Sequence, residues 1–150
     1  MSMAYQVIMV IVVLIILALA AALLIGFFRR QQNRPQDMDE LEGHDFEYYC
    51  ADLLEQAGFG SVEVTKGSGD YGIDILAERD GITYGIQCKC YASPVGIKAV
   101  QEAYAGRDYY DRMVGVVMTN QYFTAPAVKV AGKLKILLWD RGYLDAMLEE

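Results

Sequence analysis

One stretch near the start of the chain is apolar without interruption, whereas the rest alternates between apolar and polar positions. Residues 7–28 are 22 consecutive uncharged residues, and a helix of that length spans roughly 33 Å, enough to cross a hydrocarbon core. A soluble core helix would carry a polar face, and this segment has none. A signal peptide would begin with basic residues, and none precedes Val7. The pattern predicts an uncleaved transmembrane helix over residues 7–28, after a short tail over residues 1–6.

Basic residues cluster just after this run, at Arg29, Arg30 and Arg34. Positive residues that flank a membrane helix tend to stay on the cytoplasmic side. We therefore expect a single-pass protein of the cell membrane, with its apolar run in the lipid bilayer and its C-terminal domain in the cytoplasm. The polar residues 29–42 predict a juxtamembrane linker. The remaining residues, 43–150, are enough for one domain.

Short helical and strand-like segments alternate through the rest of the chain. A helical stripe opens the domain, because apolar residues lie three, four, seven, eight and eleven positions after Phe46, and Gly58 follows where a C-terminal cap is expected. Ser93-Pro94 predicts the start of a second helix reaching about Tyr110, and a third begins near Thr124. The strand-like segments are Ser61–Thr65, Ile73–Glu78, Ile82–Cys90, Met113–Met118 and Ile136–Trp139, and Tyr143–Leu148 predicts a terminal helical turn. The order α-β-β-β-α-β-α-β predicts an α/β fold with a mixed central sheet flanked by helices.

The dipeptide Asp80-Gly81 lies between two strand-like segments and predicts a tight hairpin turn. With these two residues as the loop, the numbers of facing residues sum to 161, so Asp74 lies across from Gln87. Facing residues of an antiparallel pair have Cβ atoms ~5 Å apart. The hairpin therefore predicts that an acid and an amide meet.

Successive side chains of a strand point to opposite faces, so the hairpin has two predicted surfaces. One is apolar almost throughout and is expected to pack on a helix; it carries Ile73, Ile75, Ala77, Tyr84, Ile86, Cys88 and Cys90. The other carries Asp74, Leu76, Glu78, Thr83, Gly85, Gln87 and Lys89. An acid, an amide and a lysine thus cluster at one end of the second face, which is the candidate site.

Asp74, Gln87 and Lys89 suit phosphodiester hydrolysis, which needs a hard cation to neutralise phosphate charge and to activate water. Magnesium takes oxygen ligands, which the Asp74 carboxylate, the Gln87 side chain and the adjacent Cys88 carbonyl can offer. Lys89 can hold the attacking water or stabilise developing negative charge. Glu47, at the border of the first helix's apolar stripe, is a candidate fourth member; a solvated surface glutamate is the alternative. For the other three residues the alternative is an exposed polar strand face.

Charge is divided unevenly along the chain. The whole chain carries a net charge of −7, and residues 37–150 carry −10. Within them, residues 89–135 are net positive at +4, while residues 37–88 hold −11. A domain of this balance is not a general polyanion binder. A nucleic acid would approach the basic part, while the acidic part serves another purpose, such as binding cations.

Two other patterns in the domain do not indicate a site. The glycines of loop 67–72 match a dinucleotide-binding fingerprint in spacing, but a strand follows where the fingerprint needs a helix. Asp70 is expected to cap this loop. Cys50, Cys88 and Cys90 lack the ligand spacings of a zinc site, and a cytoplasmic domain should keep them reduced.

Five different short motifs follow one another along the domain. They are Gly43-x-x-Phe46-Glu47, Gly69-Asp70-x-Gly72-x-Asp74, Gln87-x-Lys89, the stretch from Gln87 to Gln101 and Val117-Met-Thr-Asn120. This series resembles the catalytic domain of the Mrr-type restriction endonucleases, a branch of the PD-(D/E)xK nuclease group. The likeness covers roughly residues 40–140.

The resemblance implies a restriction-endonuclease-like fold and cleavage of DNA, with Mg²⁺ as cofactor and Mn²⁺ as a substitute. Asp74, Gln87 and Lys89 would form the catalytic core with Glu47 as the helix-borne acid, and the metal ligands would be Asp74, Gln87 and Glu47. Gln87 departs from the acidic residue of the wider group and agrees with the Mrr branch, so weaker or DNA-dependent metal binding is expected. A homodimer would allow both DNA strands to be cut.

The sequence therefore predicts a membrane-anchored, metal-dependent endonuclease of the restriction type. Two alternatives stay open. One is a DNA-binding membrane tether without activity, and the other is a membrane adaptor that binds proteins through the α/β domain.

Overall fold

The computed structural model describes residues 3–32, 37–66 and 71–149. The capping role predicted for Asp70 therefore lies outside the described residues. So does the basic residue Arg34.

The chain forms two compact units, Met1–Gln36 and Asp37–Glu150. The first contains one helix, α1 (Met3–Gln32). No helix in the described part of the chain is both long and apolar enough to cross a membrane, and the anchor predicted over residues 7–28 is not supported by the structure.

The second unit is an α/β domain whose elements follow the predicted order, and the helical segment predicted over Tyr143–Leu148 is a helix that extends from Arg141 to Glu149. The elements are α2 (Gly43–Gln56), β1 (Gly60–Val64), β2 (Ile75–Arg79), β3 (Ile82–Lys89), α3 (Ile97–Tyr109), β4 (Val114–Thr119), α4 (Ala125–Leu134), β5 (Ile136–Trp139) and α5 (Arg141–Glu149). Gly58 follows α2 with φ of 85°, a left-handed conformation that a glycine adopts without steric cost. Thr124 caps α4, because its side chain accepts a hydrogen bond from the Ala127 backbone N–H.

The five strands form one mixed sheet in the order β1-β2-β3-β4-β5. β1, β2 and β3 pair antiparallel, and β4 and β5 continue from β3 in parallel. This division follows from the connections. A two-residue turn joins β2 to β3, whereas α3 and α4 each carry the chain back so that the next strand runs parallel. The predicted mixed sheet is confirmed.

The register of the β2–β3 hairpin is the predicted one. Ile75 pairs with Ile86, and the pairing continues to Arg79 opposite Ile82, so that the numbers of paired residues sum to 161 throughout. The turn residue Asp80 has φ of 53° and Gly81 has φ of 77°. Two consecutive left-handed residues form the type of turn whose twist matches the flanking strands.

Each face of the sheet has its own core. One core packs α2 and α5 on the sheet, and the other packs α3 and α4 on the opposite face. The larger core contains Met38, Phe46, Cys50, Ala51, Leu53, Leu54, Phe59, Ile75, Ala77, Ile86, Cys88, Val116, Met118, Trp139 and Leu144. The second contains Val95, Ala99, Val100, Ala103, Val117, Ala127, Ala131 and Ile136. The apolar face predicted for the hairpin thus packs on α2, as expected.

Ile73 does not follow the predicted alternation. Its side chain lies against Gly85 and Gly106, on the α3 side of the sheet, and not beside Ile75 in the larger core. Strand β2 begins only at Ile75, and Asp74 forms a bend. The two-residue periodicity of a strand therefore does not extend back to Ile73.

Two sequence boundaries also shift for identifiable reasons. Val95 pairs by backbone hydrogen bonds with Tyr122 and Thr124, so it cannot join a helix, and α3 begins two residues later at Ile97. Met38 is 5% exposed and belongs to the larger core. The last residues of the predicted linker over 29–42 are therefore packed on the domain.

Helix α3 approaches the segment before β2 closely enough to require glycine. A Cβ added at Gly106 would lie 2.6 Å from the Ile73 side chain and 2.7 Å from the Tyr71 carbonyl oxygen. A Cβ added at Gly72 would lie 2.4 Å from the Glu102 carbonyl oxygen, and Gly72 also has φ of 84°. These contacts place the Asp74 segment directly on α3.

Replacement of Gly106 by alanine should destabilise the domain by about 3 kcal/mol, because the methyl group has no space on α3. The matched control is Gly132→Ala in α4, where an added Cβ meets nothing within 4 Å. That change should stabilise the fold by about 0.5–1 kcal/mol, since alanine favours helix. Urea unfolding followed by circular dichroism measures both. If the two variants unfold with the same free energy, α3 does not pack closely on Ile73 and Tyr71 at Gly106.

Candidate active site

The candidate site lies where the hairpin meets the end of β3. Asp74 immediately precedes β2, and its backbone N–H donates to the Ile86 carbonyl at 2.8 Å, which extends the β2–β3 pairing by one step. Gln87 and Lys89 occupy the last positions of β3. The register thus brings the acid and the amide together, and the lysine follows two residues later on the same side of the strand.

The Asp74 carboxylate is buried and hydrogen-bonded from β3. Its Oδ2 accepts from Gln87 Nε2 at 2.5 Å and from the Cys88 backbone N–H at 2.7 Å. Asp74 and Gln87 are each 4% exposed. Burial penalises a charged carboxylate, and hydrogen bonds donated to it favour the charged form. The two hydrogen bonds from β3 therefore offset part of the free-energy cost of burying the charged Asp74 carboxylate.

The end of β1 fixes the Asp74 backbone from the other side. The Thr65 backbone N–H donates to the Asp74 carbonyl at 2.8 Å, and Thr65 Oγ1 donates to the Ile73 carbonyl at 2.8 Å. Together with the contacts of Gly72 and Gly106 on α3, these bonds hold the bend at Asp74 on both sides. The site is therefore built on regular elements, although the aspartate itself lies just outside a strand.

Lys89 forms an ion pair that the sequence reasoning missed. Its Nζ lies 2.7 Å from Oε2 of Glu102, in the middle of α3, and its side chain is 18% exposed. Burial alone would lower the pKa of Lys89, but the hydrogen bond and the charge of Glu102, with smaller contributions from Tyr91 and Asp74, raise the pKa above its ordinary value. The sequence did contain one signal for this ion pair, because Glu102 is the one acidic residue between Lys89 and Arg107.

Glu47 lies on α2, on the side of the sheet opposite α3. Its side chain is 18% exposed, and its Oε2 lies 2.8 Å from Nδ1 of His44. Its negative charge contributes to the raised pKa of the Cys88 thiol, which lies between Gln87 and Lys89 on β3. The structure therefore brings Asp74 and Gln87 into contact and places Lys89 beside them, whereas the carboxylate of Glu47 contacts His44.

The cysteines behave as core residues. Cys50 and Cys88 are buried and all three cysteines are free. A hydrogen bond with Cys50, burial, and the nearby negative charges of Asp74 and Glu47 raise the pKa of Cys88 well above its ordinary value. Residues 3–32, 37–66 and 71–149 hold no group of three histidine, cysteine or acidic side chains arranged to bind a metal.

A buried asparagine joins the strand ends beside Lys89 to the start of the domain. Asn120 is 2% exposed; its side chain accepts from the Tyr91 N–H and donates to the Tyr91 carbonyl and to Asp39. Arg141 donates to both oxygens of Asp39 at 2.6 Å, and this bond lowers the pKa of Asp39. The motif residue Asn120 therefore has a structural role, because it secures the loop that follows Lys89.

The donor chemistry of the site fits a hard divalent cation. Asp74 and Glu47 offer carboxylate oxygens, Gln87 offers its amide oxygen and Cys88 its backbone carbonyl, and hard cations such as Mg²⁺ prefer oxygen ligands. Gln87 turns its Nε2 toward Asp74. An amide that shares a cation with Asp74 would present Oε1 instead, which a half-turn of the amide group achieves.

A mixed five-stranded sheet with a buried acid and amide at the end of its hairpin, and a lysine beside them, defines a nuclease domain of the restriction endonuclease type. Residues 38–148 match the restriction endonuclease family of the Mrr catalytic type, and the chain belongs to that family. No curated protein matches the sequence.

Solved structures share this fold. The protein of unknown function AF1548 is 30% identical, with a TM-score of 0.59. The match covers 69% of this chain and 63% of the AF1548 chain. The DNA modification-dependent restriction endonuclease AspBHI is 18% identical with a TM-score of 0.57, over 69% of this chain. The MspJI restriction endonuclease in complex with a 27-mer oligonucleotide is 20% identical with a TM-score of 0.52, over 85% of this chain. This chain spans 30% of the length of AspBHI and of MspJI.

Proposed function

We propose that the chain is a metal-dependent endonuclease that hydrolyses DNA phosphodiester bonds. The observation that carries the proposal is the buried contact between Asp74 and Gln87, with the Lys89 ammonium on the same side of β3. This trio lies within a domain of the restriction endonuclease family. The alternative interpretation was a solvated polar strand face, but Asp74 and Gln87 are each only 4% exposed.

Each residue of the trio has a separate role in this proposal. Asp74 and Gln87 would hold the cation, with Glu47 as a further carboxylate from α2, and a bound Mg²⁺ or Mn²⁺ would supply charge neutralisation and an activated water. The ion pair with Glu102 raises the pKa of Lys89 and so favours its charged form. Its part in this proposal is to stabilise negative charge that develops on the phosphate.

DNA is the substrate that the comparisons favour. Two of the similar structures are named as restriction endonucleases, and one was solved with an oligonucleotide. The net charge of −10 on residues 37–150 opposes a polyanion, so DNA would approach residues 89–135, which carry +4. Cleavage of both strands would take two copies of the site, and we therefore propose a homodimer on DNA.

Asp74→Asn and Lys89→Met should each lower the rate of plasmid cleavage by about 100-fold or more, because each removes a charge on which the chemistry depends. The matched control is Glu78→Gln, which removes an exposed carboxylate from the same hairpin and should leave the rate unchanged. The assay uses the full chain in mild detergent with Mg²⁺, and EDTA should abolish cleavage.

Three other outcomes would contradict the proposal. Cleavage that survives both active-site substitutions would exclude this site. A wild-type chain that binds DNA at low salt without cutting it would favour the non-catalytic tether, since phosphate contacts are strongest there. A chain without DNA affinity under the same conditions would favour the protein-binding adaptor.

Gln87→Glu should strengthen Mg²⁺ binding in the absence of DNA, because it adds a negative charge beside Asp74. Titration calorimetry with and without an oligonucleotide measures the effect, and the wild-type chain should gain more affinity from DNA than the variant does. Unchanged affinity in the variant would show that position 87 does not contact the cation.

We also propose that the chain is attached to the cell membrane, with the nuclease domain on the cytoplasmic side. The support is the uncharged run of residues 7–28 in the sequence, which as a helix would be long enough to cross a hydrocarbon core. Arginines follow the run at positions 29, 30 and 34.

Membrane attachment predicts that the full chain sediments with membranes and resists extraction at alkaline pH. Deletion of residues 7–28 should release it into the supernatant, while deletion of residues 1–6 should not. Protease added outside intact cells should leave the nuclease domain uncut. A full chain found entirely in the supernatant would exclude the anchor.

A further inference from the structure

The chain segment around α4 carries positive charge and no negative charge. From position 112 to position 139 there are four basic residues and no acidic one, although residues 37–150 together carry −10. Lys129 and Lys133 lie on α4, and Lys135 is its C-terminal cap. These three residues, called the α4 lysines, are all exposed. The positive charge of this acidic domain is therefore concentrated at one helix.

The basic residues of α3 and of the end of β3 are already paired with acids. Lys89 Nζ and Lys98 Nζ lie 2.7 Å and 3.9 Å from the carboxylate oxygens of Glu102. Arg107 Nε lies 2.8 Å from Asp108 Oδ1. In the part of the chain that the structure describes, by contrast, none of the α4 lysines forms an ion pair with an acid. The uncompensated charge of residues 89–135 therefore lies mainly on the α4 lysines.

The geometry of α4 turns two of these charges away from the sheet. Ala127 and Ala131 form the buried side of the helix, in the second core. Lys129 and Lys133 each follow one of these alanines by two positions, which is a rotation of about 200° on a helix. Like charges four residues apart destabilise a helix. The helix C-terminus favours a cation in the last turn, but this accounts for Lys133 and not for Lys129. A bound anion would offset the repulsion between the two.

The α4 lysines lie on the face of the sheet that also carries the polar groups of the hairpin. Gln87 pairs with Val117, and Val117 belongs to the second core, which α3 and α4 cover. Helix α2 covers the opposite face. It contains no lysine or arginine, and its acidic residues are Asp45, Glu47, Asp52 and Glu55. A polyanion is therefore repelled from the α2 face and attracted to the α4 face.

We propose that the α4 lysines bind the phosphate backbone of DNA, so that DNA with a phosphodiester at the active site lies across the α3–α4 face of the sheet. This surface rests on DNA as the substrate in the proposed function. Lysine contacts to phosphates fix the position of a duplex and carry no sequence information. The α4 lysines therefore contribute affinity for any DNA and no preference for a base sequence.

The test measures the DNA affinity of the full chain in detergent, with EDTA present so that cleavage does not interfere. The triple variant Lys129→Gln/Lys133→Gln/Lys135→Gln should bind an oligonucleotide duplex about 10- to 100-fold more weakly at about 0.1 M salt. The slope of log affinity against log salt should become less steep by about 2 to 3, because each phosphate contact contributes about 0.9. Arginine at the same three positions should keep the wild-type slope, because it keeps the charge.

The matched control is Arg79→Gln, which removes a cation from the other face of the sheet. Arg79 is 47% exposed, and its guanidinium lies over the ring of Phe59 in the larger core. Its loss should leave the salt slope unchanged. Thermal unfolding of the triple lysine variant within about 3 °C of the wild type would separate weaker DNA binding from a loss of fold.

Cleavage kinetics with Mg²⁺ provide a second measurement. The triple variant should raise KM for DNA by about 10-fold or more, while kcat at saturating DNA should change little, because the α4 lysines bind DNA without taking part in the chemical step. Substitution of Asp74 or Lys89 should have the opposite pattern, with a loss in kcat.

The possible failures are distinguishable. An unchanged salt slope in the triple variant would overturn the proposed surface and would assign the α4 lysines to another anion, such as a lipid headgroup. An equal fall in slope for Arg79→Gln would show that DNA responds to the charge of the whole domain, which would also overturn it. A wild type that binds DNA through the α4 lysines but never cuts it would support the surface and overturn the nuclease function alone.

Discussion

The burial of one carboxylate is the constraint on which the rest of the site depends. Asp74 is 4% exposed, and its Oδ2 accepts hydrogen bonds from the Gln87 side chain and the Cys88 backbone. A buried acid without such donors is costly, so its position is coupled to the register of β2 against β3. A slip of one residue would send Gln87 and Lys89 to the α2 side of the sheet and leave Asp74 without its amide donor.

The two sides of the sheet contribute differently to this arrangement. On the α2 side, aliphatic and aromatic side chains form the larger core, and the hairpin packs apolar groups into it, with the Arg79 guanidinium lying over the Phe59 ring. On the α3 side, packing is close enough to require glycine at positions 72 and 106, and the hairpin presents its polar groups there. Rigid packing around a polar site is what keeps functional side chains in a fixed geometry. Helix α3 is therefore part of the site, although it carries none of the hairpin residues.

The distribution of charge agrees with a site that handles a phosphate and a cation together. The acidic part of the domain includes Glu47 and Asp74, and the net positive part begins at Lys89. These two parts meet at the end of β3. A cation on the acidic side and the lysine on the basic side would approach a phosphodiester from two directions, and both would oppose the charge that develops during hydrolysis. Membership of the restriction endonuclease family agrees with this arrangement.

The sequence by itself determined the order of elements, the mixed sheet and the hairpin register, because these depend on local signals: the turn at Asp80-Gly81, the alternation of β3 and the cap at Thr124. It also predicted the contact of Asp74 with Gln87, since facing positions follow from the turn. Only the tertiary structure decided the partner of Lys89, the side on which Ile73 lies and the contact of Glu47 with His44. Ion pairs between a strand and a crossover helix, such as Lys89 with Glu102, depend on how the helix lies on the sheet, and no periodicity along the chain encodes that placement.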